Sequence, residues 1–197
     1  MKPLAAQILE YAAVLPEGAT LRAKELLHLG SRAGVDQALS RLERSGAILR
    51  ITRGVYVRPV QGRYGPRTPS PSTIVEAISH ATGETITPHG AAAANTLGLS
   101  TQVPMRPIYL TSGPSRRLKL GGQMLELRHA PGWQLLLPGK AAGDAVRALS
   151  WGGAKQAHQS LETLRRKLPR EELQSLTALR GRLPTWLAQE VSSLANA

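Results

Sequence analysis

The stretch Ser31–Pro59, SRAGVDQALSRLERSGAILRITRGVYVRP, decides how the chain is read. Val35, Ala38, Leu39 and Leu42 recur at i, i+3, i+4 and i+7, the single apolar stripe of an amphipathic helix. Ser31 is a good N-cap, because its hydroxyl accepts from a free N–H of the first turn. Gly46 is a good stop, because it tolerates positive φ. At about 100° per residue, the face opposite the stripe carries Ala33, Gln37, Ser40, Arg41 and Arg44, and none of these is acidic. Asp36 and Glu43 fall on the flank. After Gly46 the period changes to that of strands: Ala47–Ile51 and Val55–Arg58 flank Thr52-Arg53-Gly54, a hairpin signal.

A helix followed at once by a basic-tipped hairpin is the order expected of a winged helix-turn-helix, whose second helix lies in the DNA major groove. The other reading of the stretch is an ordinary helix–hairpin corner with a solvated basic face. Upstream, Leu4, Ile8, Tyr11, Ala12 and Leu15 share one face and predict a helix over 3–15. Ala19–Leu21 predicts a short strand or cap, and Arg22–Leu29 a second helix stopped at Gly30. Residues 1–60 thus hold three helices and a wing in outline. Tyr56 and Val57 alternate in direction, so one of them is expected to pack the wing on the helices.

Downstream, VQGRYGPRTPSPS (60–72) has the composition of a linker, and the domain boundary is expected at 61–72. Residues 73–197 then form the second domain. Ser72–Thr82, capped by Ser72, predicts a helix carrying Ile74, Val75 and Ile78. An extended run at 84–87 follows, then an alanine-rich helix, Ala91–Leu97, opened by Pro88 and stopped at Gly98. Strands are expected at 106–112, 116–120, 123–129 and 133–137, with a Gly121-Gly122 turn. Helices are expected at 141–151, 154–167, 170–179 and 185–194. The fold class is α+β: an N-terminal winged helix-turn-helix, then a small β-sheet followed by a helical bundle.

The 197 residues carry a formal charge of +12, with 25 Lys and Arg against 13 acids. The excess is spread evenly, +4 over 1–62, +5 over 63–140 and +3 over 141–197. A basic folded body of this kind points to a polyanionic partner, nucleic acid first. Absence of cysteine excludes disulfides, thiolate metal sites and Cys nucleophiles. No apolar run approaches the roughly 20 residues needed to span a bilayer, no signal peptide is read at the N-terminus, and a cytoplasmic protein is expected.

The residues hold no clear catalytic or metal constellation. Asp occurs only at Asp36 and Asp144, too few to build a convergent two-metal carboxylate site. The five histidines are well separated; His89, at a helix start, is the most site-like. Gly113-Pro114-Ser115-Arg116-Arg117 with Lys119 reads either as an anion-binding loop or as an exposed basic hairpin. Arg165, Arg166, Lys167 and Arg170 are accounted for as cations at a helix C-terminus.

GAILRITRGVYVRP, with Arg53, Gly54 and Tyr56 at its centre, resembles the wing of AbiEi-type antitoxins of the abortive-infection, type IV toxin–antitoxin systems. TPHGAAAANTLGLSTQVP and RPIYLTSGPSRRLKLGGQMLELRHAP are similar to the body of those proteins, so the resemblance spans roughly residues 1–150. It implies a winged helix that binds inverted repeats in its own promoter and represses its operon. It also implies a C-terminal domain that counteracts a nucleotidyltransferase toxin, in some members adding DNA contacts, without a stable toxin complex.

The expected function is therefore a non-enzymatic, cofactor-free operator-binding antitoxin. Its expected DNA-binding residues are Ser31, Arg32, Ala33, Gln37, Ser40, Arg41 and Arg44 on the helix, with Arg50, Thr52, Arg53 and Arg58 on the wing. Arg63, Arg67, Arg116, Arg117 and Lys119 are candidates for secondary anion or DNA contacts. Two alternatives stay open on the residues: a stand-alone winged-helix regulator with a ligand-sensing second domain, and a phosphotransfer enzyme using the loop near Arg116.

Overall fold

The computed structural model describes residues 2–63, 65–102, 105–120 and 122–196. The fold is α+β, in two compact units, Met1–Glu84 with Arg117–Leu125 and Thr85–Arg116 with Glu126–Ala197. Among the described residues no helix is long and apolar enough to cross a membrane.

The first unit runs α1 (Leu4–Ala13), β1 (Thr20–Arg22), a 3₁₀ turn (Ala23–Leu26), α2 (Arg32–Arg44), β2 (Leu49–Thr52) and β3 (Val55–Val57). It continues through β4 (Val60–Gly62), β5 (Gly65–Arg67) and α3 (Pro71–Thr82). Strands β1, β3 and β2 make an antiparallel sheet in that order. The stripe of α2 is wholly buried, and Val35, Leu39 and Leu42 join Ile8, Leu21, Leu26, Ile48 and Tyr56 in one core. Each such aliphatic side chain contributes about 1.5–3 kcal/mol by leaving water.

The segment Arg22–Leu29 departs from its predicted helix. Only Ala23–Leu26 turns, as 3₁₀. Leu26 is the deep anchor of this segment, and Gly30 lies against Leu4, where a Cβ would come within 3.2 Å of a methyl. Arg22 is taken by strand β1 and Gly30 closes on Leu4, so the segment is held at both ends. Both Tyr56 and Val57 are buried, and Tyr56 is the one that joins the helical core. They are neighbours on β3, the middle strand, and point to opposite sides, so both faces are covered there.

The expected linker at 61–72 is not one. Residues 60–67 pair as an antiparallel hairpin, Val60 opposite Arg67 and Gln61 opposite Pro66; Tyr64 lies outside the described residues. Helix α3 packs on β1 and belongs to the first unit, whose boundary therefore falls at Glu84, not at 61–72. Composition misled because Pro66 stands on a two-stranded ribbon, where a strand has a side that needs no N–H donor. The N-cap of α3 is Ser70, accepting from Thr73 N at 3.2 Å, and not Ser72. Pro71 takes the first helical position, where its missing N–H has no intrahelical partner.

The second unit contains β6 (Ile86–Pro88), α4 (Gly90–Thr96) and β7 (Ile108–Thr111). The β8 (Arg116–Leu120) and β9 (Gln123–His129) hairpin follows, and then α5 (Ala141–Gly152), α6 (Ala154–Lys167), α7 (Arg170–Ala178) and α8 (Thr185–Ser192). The sheet order is β6-β7-β9-β8, with β7 and β9 parallel. Residues 117–125 of the hairpin count with the first unit. Of the expected Gly121-Gly122 turn, Gly121 lies outside the described residues. The strand expected at 133–137 is absent: Gly132–Leu135 forms a 3₁₀ turn, and Trp133 and Leu137 pack against the helical core instead. That core joins α5 to α8 through Ala145, Val146, Leu149, Leu161, Leu176 and Leu187.

Candidate nucleic-acid interface

Helix α2 begins at a cap that uses its sequence signal: Gly34 N donates to Ser31 Oγ at 3.2 Å. It ends where Gly46, at φ 75°, lets Ala47 N and Ile48 N turn back to Leu42 O. With its stripe buried, α2 leaves Ser31, Arg32, Ala33, Gln37, Arg41 and Arg44 exposed, and Ser40 half-buried. Arg32 pairs with Asp36 at 2.9 Å; both side chains are more than half exposed, so the pair contributes little stability. Its effect is to turn the one carboxylate near the helix start towards Arg32.

The β2–β3 hairpin follows in the same unit. Thr52 pairs with Val55, which leaves a two-residue turn, Arg53-Gly54, with Gly54 at φ 71°. A side chain at residue 54 would be strained at that φ. Arg50 and Arg53 are exposed and Thr52 is half-buried. Burial pushes the Tyr56 phenol up from its ordinary value, while Arg50 pulls it down and Glu43 and Asp36 push it further up. Arg58, expected on the DNA side, donates from a guanidinium nitrogen to Ala12 O at 3.2 Å. It ties the end of β3 to the last turn of α1.

The secondary residues are only partly brought together. Arg63 is exposed at the tip of the β4–β5 hairpin, and Arg67 on β5 stands 3.9 Å from Glu17. Arg117 and Lys119 are exposed on β8, alternating with buried Leu118 and Leu120. Arg116 belongs to the other unit and donates to Pro114 O at 3.2 Å. The loop before it is bonded internally. Gly113 N donates to Thr111 Oγ1 at 3.0 Å, His129 Nδ1 donates to Gly113 O at 3.0 Å, and Ser115 Oγ accepts from His129 N at 2.8 Å. The Gly113 N–H is thus used within the protein.

His89 is a helix cap. Its Nδ1 accepts from Ala91 N at 3.3 Å, so that nitrogen carries no proton. Burial lowers its proton affinity, the Arg128 guanidinium lowers it further, and Glu126 opposes both. The folded protein therefore holds a neutral ring, whereas the unfolded chain binds a proton near about pH 6.5. The stability contributed by neutral His89 is present above that pH and is lost as the pH falls towards the lower folded value. Between about pH 7 and about pH 5 the unfolding free energy should fall more steeply in wild type than in His89→Asn, which keeps a cap acceptor and binds no proton. Parallel urea titrations would refute this assignment if the two pH profiles coincide.

Among the described residues no three His, Asp or Glu side chains come together where they could hold a metal ion. No curated protein matches the sequence. The fold is similar to that in the crystal structure of RV2827C protein from Mycobacterium tuberculosis, with a TM-score of 0.55 at 19 % identity. That likeness covers 100 % of this chain and 77 % of the other. The model of a family of unknown function, DUF6088, matches residues 7–176. With most of its length inside that match, the chain belongs to the DUF6088 family.

Proposed function

We propose that residues 1–60 act as a winged helix-turn-helix and that the chain is a non-enzymatic, cytoplasmic, operator-binding antitoxin that represses its own operon. One observation carries the DNA reading: α2 buries its whole apolar stripe and turns Gln37, Arg41 and Arg44 to solvent, with the Arg53-Gly54 turn following in the same unit. The chemistry suits the major groove, where Arg is bidentate to guanine and Gln to adenine. Arg50 and Arg53 suit phosphate, which positions a protein without reading sequence. Arg58 is assigned to holding β3 on α1.

The antitoxin half rests on the resemblance of GAILRITRGVYVRP and of the second-unit segments to AbiEi-type antitoxins. It supplies the counterpart, a nucleotidyltransferase toxin opposed without a stable complex, and the DNA target, inverted repeats upstream of the gene.

A footprint on the DNA upstream of its own gene tests the reading directly. Arg41→Ala should weaken specific operator binding by about 1–3 kcal/mol and leave binding to random duplex nearly unchanged. Equal loss on both would take Arg41 out of base readout. Arg53→Ala should lower the salt slope of binding by about one, and an unchanged slope would remove the wing from the interface. A chain that footprints its operator yet fails to relieve growth arrest by a neighbouring nucleotidyltransferase gene would be a regulator and not an antitoxin.

A further inference from the structure

A cleft of about 650 Å³ in the second unit is lined by Arg165, Arg170 and Arg180, with Gln174 and Thr177 beside them and, among the described residues, no acidic side chain. The sequence gives these arginines no common pattern. Arg165 lies in the last turn of α6, Arg170 is the first residue of α7, and Arg180 opens the 3₁₀ turn after α7. The helix dipole accounts for the first of them and argues against the second, since a cation at a helix N-terminus is disfavoured. The acids of the first turn of α7 lie outside the lining. Glu172 is used elsewhere, accepting from Ala142 N at 2.7 Å.

Arg170 and Arg180 bring two positive charges to the wall of one cleft, and a bound polyanion offsets their repulsion while gaining charge-assisted hydrogen bonds. The volume lies in the usual range of small-ligand sites, about 300–1,000 Å³. Thr177 is not a donor for such a ligand, because its hydroxyl donates to Leu173 O at 2.9 Å; Gln174 is exposed and supplies an amide. Leu173 and Leu194 give the cleft an apolar wall, and no aromatic ring lines it for a base to stack on.

We propose that this cleft binds a small polyanion carrying two or more phosphate groups, held by Arg170 and Arg180. The inference concerns the second unit and is independent of the DNA reading of α2.

Calorimetric titration of the full chain with inorganic pyrophosphate, and separately with ADP, tests it. Saturable binding is expected, weakened about tenfold for each arginine removed in Arg170→Gln/Arg180→Gln. The control Arg166→Gln/Arg182→Gln removes the same charge from exposed residues outside the lining and should stay within about threefold of wild type. Tighter binding of ADP identifies a nucleotide, and equal binding identifies the bare polyphosphate; either supports the site. No binding by wild type, or equal weakening in both double variants, overturns it. So does a loss of random-duplex affinity in Arg170→Gln/Arg180→Gln as large as the loss for pyrophosphate, which would make the cleft a nucleic-acid surface. Thermal melts matching wild type confirm that both double variants are folded.

Discussion

Arg147→Ala should destabilise the protein by about 3–5 kcal/mol, the usual loss when one partner of a buried ion pair is removed. Arg147 is 1 % exposed. One terminal nitrogen donates to Gln134 O and Leu136 O, each at 3.2 Å, and the other meets Asp144 Oδ1 at 2.6 Å. Asp144 keeps only 20 % of its side chain in solvent, so alanine leaves a largely buried carboxylate and two carbonyls unmatched. Those carbonyls belong to the segment before α5, where Leu137 sits at φ 46°, the one non-glycine positive φ among the described residues. A left-handed leucine costs roughly 1–3 kcal/mol, and Arg147 helps hold the adjoining backbone in place. Arg147→Lys restores the charge but not the planar fork, and should recover part of the loss. Urea unfolding reads all three proteins. A midpoint for Arg147→Ala close to wild type would mean that the pair and its carbonyl bonds are energetically idle.

Gly90→Ala is the second large effect, expected at about 3 kcal/mol. A Cβ on Gly90 would lie 2.4 Å from Arg147 O and 2.5 Å from Trp151 Cβ. The first of these is helix backbone and cannot swing aside. Helix α5 cannot retreat either, since Ala145, Val146 and Leu149 of the same helix are locked in the central core. The seven-residue α4 would have to lift instead, opening the contact of Ala93 and Ala94 with Ala148. Gly132→Ala, where a Cβ meets nothing within 4 Å, is the matched control and should be nearly silent. Wild-type melting of Gly90→Ala would show that α4 is not held against α5.

What was legible in the sequence follows from periodicity. The stripe of α2, the Ser31 cap and the Gly46 stop are local signals, and each is realised at its position. The same holds for α6, β8 and β9, whose bounds match the expected ones. The misreadings share a cause. Arg22–Leu29 and 133–137 carry apolar residues at spacings too short to separate an α-turn from a 3₁₀ turn or a strand, and their neighbours decide. At 61–72 the signal is compositional, and composition does not register that Val60 and Arg67 pair. On the candidate interface, the exposed face of α2 was legible because burial of the leucines fixes what faces away. The task of Arg58 was not, because its acceptor lies 46 residues earlier. Nor does any local pattern mark Arg147 as an interior residue, or join positions 165, 170 and 180.

The membership of residues 117–125 in the first unit bears on how the protein is made and cut. During synthesis, that half stays incomplete until some forty further residues have left the ribosome. A fragment ended at Glu84 lacks Leu118, Leu120 and Leu125, all nearly or wholly shielded from water. Proteolytic dissection aimed at the N-terminal half alone would thus yield a piece missing residues that group with it.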